Sequence, residues 1–289
     1  MMQAESILFL IALCGYFVTT VLYFLYAGLK KPVLEKLAVR VHLGVFLTHT
    51  AAIILRWILM ERLPMSNQYE FATAFAWALA LISMLFIARF RFPVLGAFAS
   101  PVTLLLALYA GLQKLNEFKT IAAYEAMGVD GVDRIRNLMP ALRSAWLGIH
   151  VSTVIVAYGA FGVSFVLSIL FLLRDKAKPG GFFDTHVPQK EKLDVISYRS
   201  VSLGMMFLTV TIGIGGVWAE NAWGSYWTWD PKETWALVTW LIYLVYLHLR
   251  IRRGWNGKTA AIFGVVGFVC VMFTYVGVNT LLPGLHSYK

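Results

Sequence analysis

The sequence predicts an all-α fold: a polytopic integral membrane bundle of about eight transmembrane helices, with both termini extracytoplasmic. Three observations carry this. The chain is 59% apolar and only 14% charged over 289 residues, with a mean hydropathy of +0.70, whereas soluble domains carry roughly 25% charged residues. Eight apolar runs approach the ~20 residues a helix needs to cross the hydrocarbon core. Basic residues collect in alternate connections between those runs, and the positive-inside rule makes that side cytoplasmic. The net charge of +10 is thus distributed by loop. Lys and Arg form no continuous stripe, so the expected surroundings are a lipid bilayer and not nucleic acid.

The first run, near 6–29, lacks a basic start and a small-residue cleavage site, so it is expected to stay as a membrane anchor. Lys30, Lys31, Lys36 and Arg40 follow it on the cytoplasmic side. The second run, near 39–60, carries His42, His49 and Arg56 at intervals of seven, which places them along one helical face. Ionisable groups inside a membrane usually face the bundle interior and mark a path or site; a buried hydrogen-bond ladder is the plainer reading. Runs three (69–88) and four (94–112) are separated by Arg89 and Arg91, and Pro101 is expected to kink the fourth. A long external loop, 113–145, leads to run five (146–173), with His150 near its outer start. Arg174, Lys176, Lys178, Lys190 and Lys192 then precede run six (199–219), where Gly213, Gly215 and Gly216 would let the helix end or approach a neighbour. Run seven (234–251) has His248 near its inner end, before Arg250, Arg252, Arg253 and Lys258. Run eight (259–281) is followed outside by His286. The whole chain, 1–289, reads as one membrane domain. Cys14 and Cys270 lie far apart in apolar runs with no CxxC pattern, so they read as small buried hydrophobes.

Between runs six and seven stands "WAENAWGSYWTWDPKE", residues 218–233. Six of the ten tryptophans fall within 218–240. Trp57, Trp146 and Trp255 fit an interfacial aromatic belt, but a belt would spread its rings over all the helix ends. A flat apolar ligand would suit the clustered rings of this external loop. The closing Asp-Pro-Lys-Glu reads as architecture: Asp230 at the N-cap, Pro231 at N1 and Glu233 at N3 form a capping box for run seven.

The histidines sharpen the choice of ligand. His150 and His286 sit at helix ends on the same side as the Trp loop. Paired neutral imidazoles are a natural axial set for haem iron, and haem is a broad apolar disc with anionic propionates. Trp223, Trp227 and Trp229 would match its faces and edges. Lys232, and Arg143 just ahead of His150, are candidate propionate partners.

These residues resemble a known family. "WGSYWTWDPKETWALVTWLIYLVYLHLR" is similar to the tryptophan-rich WWD signature of haem-handling membrane proteins of cytochrome c biogenesis. "WLGIHVSTVIVAYGAF" and "GVNTLLPGLHSY" resemble the segments that flank it, and "PMSNQYEF" resembles a further family feature. Eight spans in this length resemble the System II cytochrome c synthetase subunit of CcsA or ResC type. The resemblance implies that His150 and His286 hold haem iron (haem b, as substrate) on the outer face. It implies a haem platform from Trp218 to Trp235, Asp230 included, and haem bound in the membrane by His248. It also implies a CcsB- or ResB-type membrane partner with an external domain, which supplies the other intramembrane ligand. His42 is the in-chain candidate for that second ligand, by meeting His248 at the inner end. The implied function is to move haem across a bacterial inner membrane and present it, bis-His ligated, for thioether attachment to the CxxCH segment of apocytochrome c. Whether the chain is itself an enzyme, a haem lyase subunit, stays open. The alternatives are a haem exporter or chaperone that passes haem on without ligation, a non-haem transporter with an aromatic cage, and a structural subunit of a redox complex.

Overall fold

The computed structural model describes residues 2–138, 142–282 and 284. Its long helices are α1 (Met2–Leu29), α2 (Pro32–Met60), α3 (Gln68–Phe90), α4 (Val94–Ala126), α6 (Ala145–Asp175), α8 (Lys190–Trp223), α9 (Pro231–Arg253) and α10 (Gly257–Met272). Short helices α5 (Gly131–Arg136) and α7 (Phe182–His186) lie between them, and α10 continues through a π-helical turn, Phe273–Gly277, into α11 (Val278–Leu281). Among the described residues, eight helices are long and apolar enough to cross a membrane. The protein is all-α and multi-pass.

Helix α6 is the hub. It packs on α8, α10, α3 and α4, while α1 pairs with α2 and α4. Small residues permit this crowding: a Cβ at Gly159 would meet the backbone of Ala78, and one at Gly204 would strike the Phe161 ring. Van der Waals contact at such small-residue seams drives helix association in lipid, where the hydrophobic effect between helices is absent. The most apolar stretch of α6 is 83% buried, against 17% for α9, which therefore lies at the edge of the bundle on α8 and α10.

Three spans depart from the sequence reading. Helix α4 runs through Pro101 to Ala126, fourteen residues past the end expected from hydropathy. Its polar extension is held by buried charge. Arg56 grips Glu117 with both terminal nitrogens, at 2.9 and 2.6 Å, and also donates to Glu70. Lys114 donates to Glu5 at 2.7 Å and to Glu117 at 3.0 Å, Tyr69 donates to Glu5, and Arg62 donates to Glu70 at 2.8 Å. Three carboxylates face three cations, which compensates a desolvation that either sign alone would not survive. Helix α2 begins early, at Pro32 in its first turn, because Pro is preorganised there. Helix α8 is the third: it continues past Gly213, Gly215 and Gly216 to Trp223, so Trp218 and Trp223 belong to a helix and the irregular Trp segment is only 224–230. Gly224, at φ 74°, ends α8 by donating to the Glu220 carbonyl; this left-handed C-terminal position favours Gly.

Candidate functional site

The ends of α6 and α8, the start of α9 and the π-turn after α10 enclose a pocket of about 1030 Å³, open mouth included. His150 reaches it from the second turn of α6 and is half-buried. Its Nδ1 lies 3.0 Å from the Thr211 carbonyl oxygen on α8. A carbonyl only accepts, so Nδ1 carries a proton and donates it there. Trp218, 2% exposed, lies against the imidazole with centroids 5.8 Å apart and planes 31° from parallel. Gly215 leaves the ring its room, since a Cβ there would come 2.8 Å from its Cε1.

The apolar wall comes from Phe71, Leu147, Val151, Tyr158 and Leu208, with Trp227 and Tyr226 at the loop side. Lys232 and Glu233 line the pocket from the first turn of α9. Asp230 is the N-cap of that helix: its side chain accepts from the Lys232 amide at 2.9 Å, and Glu233 accepts from the Asp230 amide, completing the capping box. Glu233 also accepts from the Thr228 amide and hydroxyl, so one carboxylate fastens the Trp segment to α9. A further wall holds Thr274 and Tyr275 of the π-helical turn and Asn279 of α11; π-helical turns are frequent at functional sites.

The structure does not bring all the candidate residues together. His286 lies outside the described residues; Gly284, two positions earlier, lies against Asp230 and Pro231. Trp223 packs on Trp218 at 4.9 Å and stands behind the pocket wall. Trp229 is 68% exposed, at φ 58°, edge-on to Trp227. Trp235 packs on Phe273. Arg143 donates to the Leu138 carbonyl at 2.7 Å and lines a neighbouring hollow. His248 is exposed on the edge helix α9, sixteen residues and about 24 Å along that helix from Lys232. His42 faces α1, with Nδ1 3.4 Å from the Tyr23 hydroxyl and its ring edge-on to Tyr16 and Tyr23. His49 repeats the arrangement one heptad on, 2.9 Å from the Tyr16 hydroxyl. These tyrosines are themselves seven apart, so each α2 histidine meets an α1 tyrosine through Nδ1, while both Nε2 atoms are buried without a hydrogen-bond partner among the described residues.

The sequence does not mark Thr211, Tyr275 or Asn279, and it marks Gly215 and Glu233 only as helix features and not as parts of the pocket. Gly215 carries a visible signal, the glycine run that lets the helix end or approach a neighbour; the structure takes the second course, with His150 as the neighbour. The others touch the site only because distant helices meet there.

Comparison with known proteins assigns a family and a fold. A model of the cytochrome c assembly protein family matches residues 65–286. The chain is 41% identical over 244 residues to the cytochrome c biogenesis protein CcsA of Chlamydomonas reinhardtii, covering 82% of this chain and 64% of that longer protein. It is 38% identical over 266 residues to CcsA of Synechococcus sp. (strain CC9605), covering 84% and 83% respectively. Among solved structures, the cytochrome c haem lyase CcmF superimposes with a TM-score of 0.67 at 15% identity, over 94% of this chain and 46% of that one. That match speaks to the fold alone.

Proposed function

From the premise that this chain belongs to the cytochrome c assembly protein family, we propose that it holds haem in the His150 pocket and presents it to apocytochrome c. Iron is bound by His150 and His286 on the extracytoplasmic face of a bacterial cytoplasmic membrane. The carrying observation is the Nδ1 bond from His150 to Thr211. Metal-bound histidines typically donate their other ring N–H to a carbonyl or carboxylate, which fixes tautomer and orientation; the Nδ1 bond of His150 is of that kind and supports assigning Nε2 to iron. Trp218, Trp227, Tyr226 and Phe71 supply apolar and aromatic walls suited to a flat macrocycle. The role of His286 rests on the family resemblance and on Gly284, which brings the chain to the start of α9.

The chain's work is positioning. With both axial sites on nitrogen, the iron is closed to stray ligands. Each thiol of a CxxCH segment then adds across one vinyl group: a carbon–sulfur bond forms at one vinyl carbon and a hydrogen goes to the other, with no net redox change. Holding the reactants together replaces a bimolecular encounter. The incoming polypeptide's own histidine displaces one of the two axial imidazoles. His248, exposed on edge helix α9, is placed to bind haem in transit with a ligand from a CcsB- or ResB-type partner seated on that edge. His42, engaged with Tyr23, lies on a different seam.

The test is an absorption spectrum of the purified chain, co-expressed with its partner, for wild type, His150→Ala and His286→Ala. Loss of a bis-imidazole spectrum and of cytochrome c assembly, with membrane insertion intact, is expected in both variants. Wild-type spectra and yield in both would overturn the assignment.

A further inference from the structure

Beside the His150 pocket is a second hollow of about 1030 Å³, mouth included, between the end of α2, the segment after α5 and the entry to α6. Three guanidiniums, Arg62, Arg136 and Arg143, line it against one carboxylate, Glu61. Their local partners do not use them up. Arg62 gives its terminal nitrogens to Glu70, Ser66 and the Leu63 and Ile135 carbonyls, yet its Nε is buried with no acceptor. Arg136 reaches Glu61 and Asp133 only at 3.4 and 3.3 Å, and its Nε is likewise buried and unmatched. Arg143 is exposed, with Nε on the Leu138 carbonyl. An anion in the hollow would bring oxygen acceptors to the terminal nitrogens of Arg136, held by its carboxylates only at 3.3–3.4 Å, and of Arg143, whose bond to Leu138 uses Nε; hydrogen bonds to charged groups are the stronger kind.

The hollow and the pocket share walls. Met65 and Leu147 line both, and Leu147 stands one turn of α6 before His150. A ligand with a flat apolar body in the pocket would extend its polar edge past these two side chains into the arginines. We infer that the hollow is the carboxylate subsite of the His150 pocket, where Arg62, Arg136 and Arg143 bind the carboxylates on one edge of the tetrapyrrole. The inference rests on the haem reading above. It assigns Arg143 a different neighbourhood from Lys232, and adds two arginines that no sequence motif marks. Planar guanidinium forks match carboxylates in a way that a lysine point charge does not.

The test uses the full chain in detergent, titrated with protohaem and with its dimethyl ester, whose carboxylates are blocked. Arg62 is spared because it also ties Glu70, Ser66 and the Ile135 carbonyl together; the variant is Arg136→Gln with Arg143→Gln. Protohaem should bind this variant roughly tenfold or more weaker than wild type, the scale of a lost charge-assisted hydrogen bond, while the ester binds both proteins alike. Equal weakening toward both ligands, or none toward either, would overturn the subsite. His150→Ala separates the two readings: wild-type spectra and affinity for both ligands in that variant would remove the haem reading itself, whatever the arginines do.

Discussion

His150 donates from Nδ1 to the Thr211 carbonyl at 3.0 Å, and this bond fixes the orientation of the imidazole against α8. Because the acceptor is backbone, no side-chain deletion removes it. Gly215, one turn further along α8, offers another lever. A Cβ at 215 would meet His150 Cε1 at 2.8 Å and Nδ1 at 2.9 Å, whereas one at Gly213 meets nothing within 4 Å. Gly215→Ala should displace the imidazole, cost about 1–3 kcal/mol as overpacking does, and reduce haem retention. Gly213→Ala should leave haem retention intact and stabilise the helix by about 0.5–1 kcal/mol. Paired thermal melts and haem spectra check this; equal haem content in the two variants would contradict the geometry.

Asp230 separates architecture from chemistry. Its carboxylate accepts from the Lys232 amide and completes a capping box with Glu233. Asn is as good an N-cap as Asp, while Ala costs about 1 kcal/mol. Asp230→Asn should therefore match wild type in stability and cytochrome c assembly, and Asp230→Ala should lose about 1 kcal/mol and disturb the Trp segment. If Asp230→Asn assembles as poorly as Asp230→Ala while remaining stable, the negative charge itself acts on the ligand.

The buried network at the C-terminal end of α2 makes a larger claim on stability. Arg56 is 2% exposed and bridges Glu70 and Glu117. Removing one partner of a buried ion pair costs about 3–5 kcal/mol, because the other charge is left uncompensated. Arg56→Leu should fall in membrane abundance and melting temperature, while Arg89→Gln, at the far end of α3, should not. Similar thermal stability of the two variants would mean that Glu70 and Glu117 find other partners.

The same network explains what the sequence could and could not convey. Hydropathy over about 20 residues finds spans, so all eight were legible, as was the Asp-Pro-Lys-Glu cap, whose signal is local. Lys114 and Glu117 read as loop because a window counts their charge and not their partners, Glu5 and Arg56, which lie 109 and 61 residues away. Trp218 and Trp223 read as loop because Gly215 and Gly216 look like breakers, although Gly215 serves the approach of His150. The Arg62–Arg136 pairing around a shared hollow has no sequence pattern, since only the meeting of α2, α5 and α6 creates it.

Trp229 is the side chain whose conformation asks most for a functional reason. A bulky residue at positive φ is an outlier, and Trp229 stands at φ 58° with 68% of its surface exposed. It is held there because the next residue, Asp230, must be extended to cap α9, and Gly224 has already ended α8 six positions earlier. Gly tolerates this region without penalty, so Trp229→Gly should leave the melting temperature unchanged or raise it, by the equivalent of about 1 kcal/mol of strain relieved. If the exposed indole is a contact for haem or for the incoming apocytochrome, the same variant should lower cytochrome c assembly while His150-dependent haem spectra persist. A stabilised variant with undiminished assembly would show that the strained tryptophan contributes nothing to the reaction.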